Sequence, residues 1–406
     1  MQASLLSTTS ALDEPGGLLT QGTPTMPSDK NVHDDWLRLA FVGLPAGRCR
    51  QALQHWQQPG SLLTAARDGS EAELLATPGI TPVTVERLRE AATRDLTKAL
   101  AAMADRDIRL VLETDEDYPG ALRSIADSPL YLFVRGTIEA RDETAVAIVG
   151  TRHATEYGRS VAAKFATELS HRGITVVSGL ARGIDTAAHH GALEAGGRTF
   201  AVCGCGLDIN YPADNKNLAT NIAQSGATLS EFPPTVQPEA WHFPARNRII
   251  SGLSLGVIVV EAGERSGALI TSDFALEQGR EVFAVPGNIF KQQSRGAHAL
   301  IKQGATLVES VDDIITALNN RALPFAQLEQ ADQAEQAKKV AVPTVRADLS
   351  AVENRVFLAL EADPRHIDDL AAAANMGAAE VNSTLVMLEL KGAARRMPGG
   401  MFTRAE

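Results

Sequence analysis

The middle of the chain alternates short apolar runs with stretches whose apolar residues recur every three to four positions, the pattern of a parallel sheet wrapped by helices. Seven runs read as strands, at 145–149, 174–177, 199–202, 227–229, 257–260, 282–285 and 305–308, each bounded by Gly, Ser or Pro. Between them Val161, Phe165 and Leu169 keep helical spacing, and Gly173 stands where that helix must stop. Upstream, Trp36, Leu37, Leu39 and Ala40, then Leu62 and Leu63, then Val85, Leu88 and Ala91 predict short helices. Within them Leu75–Ile80 reads either as a hairpin offering backbone amides to a phosphate or as a corner turned by Pro78 and Gly79. Downstream, helical runs through Val356, Leu360 and Leu370 and through Val381, Leu385 and Leu388, followed by Gly399 and Gly400, predict a winged helix.

The pattern therefore predicts a disordered tail over 1–32, a helical domain over 33–105, a Rossmann-like domain over 106–319, a linker over 320–348 and a winged helix over 349–406. The fold class is α/β: a central doubly wound parallel sheet between a small all-α N-terminal domain of helix-hairpin-helix type and a C-terminal winged-helix domain.

Composition changes little. With 406 residues, 44% of them hydrophobic, the chain can bury a large core. Three cysteines, Cys49, Cys203 and Cys205, make neither a disulfide framework nor a zinc site. The first thirty residues lack the basic and apolar segments of a leader, and no run reaches the ~18 apolar residues of a membrane span, so a cytoplasmic protein without membrane contact is expected. A net charge of -11 argues against nucleic acid unless a local groove is positive.

Ligands of an open parallel sheet sit at the carboxyl ends of its strands. After the first predicted strand comes Gly150-Thr151-Arg152, after the second Ser178-Gly179-Leu-Ala-Arg182-Gly183, and after the third a glycine-rich loop through Asn215. Glycines let backbone amides face an anion, and arginine offers a bidentate fork, so Arg152 and Arg182 are the leading phosphate ligands. Phe243, Arg246, Asn247 and Arg248 begin a helix, where an aromatic beside arginines suits base stacking as well as simple helix-end packing. Ser266 and Gly267 open another helix and are candidates for a further phosphate. Gly204 and Gly206 are not followed by the third glycine of a dinucleotide fingerprint, and no Walker lysine occurs, so no cofactor is expected.

Taken in order, GTR, SGLARGID, GCGLDINYPADN, SEFPP, FPARNRIISGLS and VVEAGERSGALITSDFALEQGREVFAVPG resemble the DNA-processing protein A (DprA/Smf) family. The resemblance covers about half the chain. It implies a sterile-alpha-motif-like N-terminal domain, a winged helix and a non-enzymatic protein. Further, it implies a homodimer that binds and protects single-stranded DNA and loads the RecA recombinase onto it, in natural transformation and recombination. Carried onto matching positions, it puts DNA on Gly150, Thr151, Arg152, Ser178, Gly179, Arg182, Gly183, Phe243, Arg246, Asn247 and Arg248, with Ser266 and Gly267 at the margin. The helix bearing His298, Leu300 and Ile301 is the candidate dimer surface. Where some relatives carry a basic residue before the phenylalanine, Trp241 and His242 stand here. The rivals are a nucleotide-hydrolysing lysine-decarboxylase-like enzyme, whose glycine-framed glutamate motif is missing, and a transcriptional regulator reading duplex DNA through the winged helix. Whether that winged helix takes DNA or protein stays open, since its second helix carries Glu380 and Glu389 and no basic residue.

Overall fold

The computed structural model describes residues 29–319, 349–360, 365–397 and 401–404. Almost all of the predicted tail and the predicted linker lie outside the described residues. The chain divides into two compact units, one up to Ala326 and one from Gln327.

The first unit opens with six helices, α1 (Asp29–Val42), α2 (Ala46–Trp56), α3 (Pro59–Asp68), α4 (Glu71–Ala76), α5 (Pro82–Ala92) and α6 (Thr97–Arg106). Helix α1 starts inside the predicted tail. Thr81 caps α5 by accepting from the Thr84 amide, and Pro82 occupies the first turn, where its missing N–H costs nothing. The Pro78–Gly79 turn behaves as a corner: the Ile80 amide is spent on the Thr77 carbonyl, and Gly79, at φ +84°, packs on the Arg48 backbone of α2.

The sheet follows, with β1 (Ile108–Leu112), α7 (Gly120–Arg123), β2 (Tyr131–Gly136), β3 (Ala145–Val149), α8 (Glu156–His171), β4 (Thr175–Ser178), α9 (Ile184–Glu194), β5 (Thr199–Cys203), α10 (Lys216–Ser225) and β6 (Ala227–Ser230). It is completed by α11 (His242–Gly252), β7 (Gly256–Val259), α12 (Gly267–Glu277), β8 (Glu281–Ala284), α13 (Arg295–Lys302), β9 (Thr306–Leu307) and α14 (Val311–Asn319). The strand order is β1-β2-β6-β5-β4-β3-β7-β8-β9. The seven predicted strands are all present and run parallel. Two more were not anticipated: β1 pairs antiparallel with β2, and β2 antiparallel with β6, so the sheet is mixed at one edge. The helices and this edge share one core. Leu62, Leu74 and Leu88 belong to the same buried cluster as Leu110, Tyr131 and Phe133 of the strands.

From β3 the chain winds outward through β4, β5 and β6, then returns to the other side of β3 for β7, β8 and β9. That reversal opens a crevice at the carboxyl ends of β3 and β7, the place where doubly wound sheets bind ligands. Among the described residues no helix is long and apolar enough to cross a membrane.

The second unit holds helices over Ala351–Ala359, Ile367–Ala374 and Ala378–Leu390 and a three-stranded sheet of β10 (Arg365–His366), β12 (Met401–Arg404) and β11 (Ala394–Met397). Leu370, Leu385, Leu388 and Phe402 close its separate core.

Candidate nucleic-acid interface

A cleft of about 340 Å³ fills the crevice where the strand order reverses. Its walls are the turn after β3, the turn after β4 and the first turns of α11 and α12. Glu261, buried at the end of β7, fixes the first wall. Its carbonyl accepts from the Thr151 amide at 2.7 Å, and its carboxylate accepts from the Thr155 amide and hydroxyl at 2.8 and 2.5 Å. The turn so held carries Gly150, Thr151 and Arg152 into the cleft.

Arg152 is exposed, lies over the Phe243 ring at 5.3 Å, and makes no hydrogen bond or ion pair among the described residues. A guanidinium over an aromatic face keeps its donors pointing outward. Arg246, in contrast, is buried at 5% exposure, with Nη1 donating to the carbonyls of Gly179 and Val202. Gly179 is required there because a Cβ would collide with that guanidinium. Burial pulls Arg246 below its usual range, while Asp185 opposes the shift. Burial in turn pushes the Asp185 carboxyl up, against the pull of Arg246. Asp185 accepts from the Gly179 and Ala181 amides at 3.1 and 3.3 Å and so holds the turn after β4. Arg246 and its charge partner Asp185 therefore form the cleft floor together, and Arg152 provides the free fork at its mouth.

Asn247, Ser266 and Gly267 also line the cleft. Asn247 Nδ2 donates to the Gly267 carbonyl at 3.2 Å, and Ser266 caps α12 by accepting from the Ala268 amide. Gly183, at φ +82°, sits next to the cleft against the Thr151 and Arg152 carbonyls, where a side chain would clash.

Three other expected residues are placed differently. Ser178 is fully buried and its hydroxyl donates to the Ile148 carbonyl, so it ties β4 to β3. Arg248 points away from the cleft; its buried guanidinium pairs with the half-exposed Asp127 at 2.9 Å and with Glu231 at 2.8 Å. Arg182 flanks the cleft but is held by Asp214 at 2.8 Å, both side chains being about two-thirds exposed, at 63% and 66%. Trp241 faces the other side of the α11 start, lining a separate cavity of about 710 Å³ against the N-terminal helices. On α13, Leu300 is buried in the core, Ile301 packs on it, and His298 binds the Gly287 backbone, so these three serve the fold.

Sequence reasoning missed Tyr211. Its ring lies 5.4 Å from Phe243, tilted by 38°, so a second aromatic stands beside Phe243 at the cleft mouth. An aromatic in a glycine-rich loop after a strand was the available signal. Cys203 lies beside this pair, but burial pushes its thiol up to about 11, leaving it protonated at neutral pH. Among the described residues no cluster of His, Cys, Asp or Glu is arranged to hold a metal ion.

Comparison with known proteins places the chain among relatives of one family. The family model described as DNA recombination-mediator protein A matches residues 109–319, and that of the DprA winged helix domain matches residues 341–400. Protein Smf of Escherichia coli is 38% identical over 90% of this chain and 94% of its own. The DNA processing protein DprA of Bacillus subtilis is 41% identical over 62% of this chain and 88% of its own. The X-ray structure of DprA from Streptococcus pneumoniae superposes with a TM-score of 0.58 at 36% identity, covering 70% of this chain and 97% of that one.

Proposed function

The chain belongs to the DNA recombination-mediator protein A family, and from that membership we propose that it binds single-stranded DNA in the cleft at the β3–β7 switch point. The observation that carries the reading is Arg152: an unpaired guanidinium laid on Phe243, above a floor built by the buried Arg246 and Asp185. Phosphate meets the Arg152 fork and the amides of the Gly150 and Gly267 turns, while a base stacks on Phe243. The protein acts by binding and not as an enzyme, because the carboxylates of Asp185 and Glu261 are both engaged in holding loops. Its role is to shield incoming single strands and pass them to a RecA-type recombinase.

Arg152→Ala tests the site. Affinity for oligothymidine falls, and the slope of log affinity against log salt becomes shallower by about 0.7, one phosphate contact on a single strand. An unchanged slope would move the site elsewhere. Recombinase delivery is read as faster RecA filament growth on single strands already covered by a single-strand-binding protein; no acceleration removes that part.

We also propose that the protein is a homodimer, joined through the loop before α13, where Ile289 and Phe290 are 73% and 88% exposed. Such exposure of adjacent large apolar side chains is costly in a monomer. Light scattering at micromolar concentration should give twice the chain mass for the wild type and one chain mass for Phe290→Asp.

A further inference from the structure

The glycine-rich loop between β5 and α10 is held at several points and still presents an aromatic ring to solvent. The Gly206 amide donates to the Val236 carbonyl at 2.9 Å, and Asp208 accepts from the Thr235 amide at 2.9 Å. At its far end Asn215 Nδ2 donates to the Leu180 carbonyl and the Thr186 hydroxyl, both at 2.9 Å. Tyr211 rides on this fixed loop, 40% exposed, with no hydrogen bond from its hydroxyl among the described residues.

One side of the Tyr211 ring meets Phe243 and the mouth of the cleft. Tyr211 also borders a small recess of about 20 Å³, room for one oxygen-sized group, which Arg135 of β2 and Lys216 of α10 line with it. Arg135 is half-buried, yet neither its guanidinium nor the Lys216 ammonium has a hydrogen bond or ion pair among the described residues. Two unpaired cations beside an ordered aromatic, itself next to Phe243 at the cleft mouth, are the makings of a nucleotide subsite: π-face for a base, cations for its phosphate.

We propose that Tyr211, Arg135 and Lys216 form a second single-strand subsite, taking the nucleotide adjacent to the one stacked on Phe243. The inference rests on the single-strand reading of the cleft and extends it by one step of chain: the base leaves Phe243, the next base lies on Tyr211, and its phosphate is held between Arg135 and Lys216. Recognition is through the ring face and the charges, so the subsite is indifferent to base identity.

The test is fluorescence anisotropy with the full chain and oligothymidines graded from about four nucleotides upward, across salt. On long strands Tyr211→Ala should weaken binding at least about fivefold, the low end of a lost base–aromatic stack, whereas Tyr211→Phe should bind like wild type. Lys216→Gln, an exposed change with no packing consequence, should make the salt slope shallower by about 0.7, and Arg135→Gln with Lys216→Gln by about 1.4. The shortest strand that binds should not distinguish these variants from wild type. Equal losses on short and long strands, or wild-type slopes for Lys216→Gln on long strands, would overturn the subsite. If the wild type binds and Arg152→Ala lowers its slope while these variants change nothing, only this inference falls; if the wild type binds no single strand, the reading of the cleft falls with it.

Discussion

At the scale of single residues, the decisive question is which arginines are free. Helical phase separates two that look equivalent in the sequence: Arg246 and Arg248 are two positions apart, about 200° around α11, so one goes under the cleft and the other to Asp127 and Glu231 on the opposite side. A one-dimensional motif cannot show that, whereas the strand-to-loop position of Arg152 was legible because the carboxyl end of a parallel strand is where its loop must point. Arg182 is an intermediate case, since Asp214 competes with phosphate for it. An exposed pair of this kind contributes only about 0–1 kcal/mol. Asp214→Asn should therefore leave the melting temperature nearly unchanged while tightening single-strand binding about two- to fivefold and steepening its salt dependence. Weaker binding by Asp214→Asn would mean that Arg182 does not face the strand.

Elements add a second kind of constraint, packing between helix and sheet. His189 of α9 is fully buried, and its Nδ1 lies 2.7 Å from the Thr199 hydroxyl at the start of β5. That hydroxyl already donates to the Val176 carbonyl of β4, so the ring must donate from Nδ1, and Nε2 is left without a partner. Burial pushes the His189 imidazole down to about 3. The unfolded chain then takes up a proton below its ordinary value of about 6.5 that the folded protein refuses, so stability is full above that pH and falls by about 1.4 kcal/mol per unit as the pH drops towards 3. In urea titrations at pH 7 and pH 5, His189→Asn should lose less stability between the two than wild type does; an equal loss would show that other groups carry the acid sensitivity. How far the elements were legible depends on how local their cause is. The strands of the parallel sheet announced themselves as continuous apolar runs because both their faces are covered. Strands β1 and β2 carry short apolar runs of the same kind, at 108–112 and 130–134, but they pair antiparallel with each other and with β6, nearly a hundred residues on, outside the repeating strand–helix pattern by which the others were read.

For the whole molecule the tension is between a net charge of -11 and a polyanionic ligand. It is resolved locally, since association with a strand depends on the field at the cleft and falls off within a Debye length of ~8 Å in physiological salt. The winged-helix unit offers few cations of its own. Its helix Ala378–Leu390, the one that would enter a groove, exposes Val386, Met387 and Leu390 and has no basic residue. Lys391 just beyond it is bound to Glu353 at 2.8 Å, leaving Arg395 and Arg396 on β11 as the exposed cations of the adjoining wing. Among the described residues the unit also closes its own core. Removing residues 327–406 should therefore leave a folded protein whose oligothymidine affinity stays within about twofold of the full chain and whose salt slope is unchanged, because no phosphate contact has been lost. A loss of tenfold or more with a shallower slope would transfer phosphate contacts to Arg395 and Arg396. The same affinity with the slope intact would leave the apolar face of that helix as a surface for protein and not for nucleic acid, because a row of uncharged side chains cannot release counterions from a phosphate backbone.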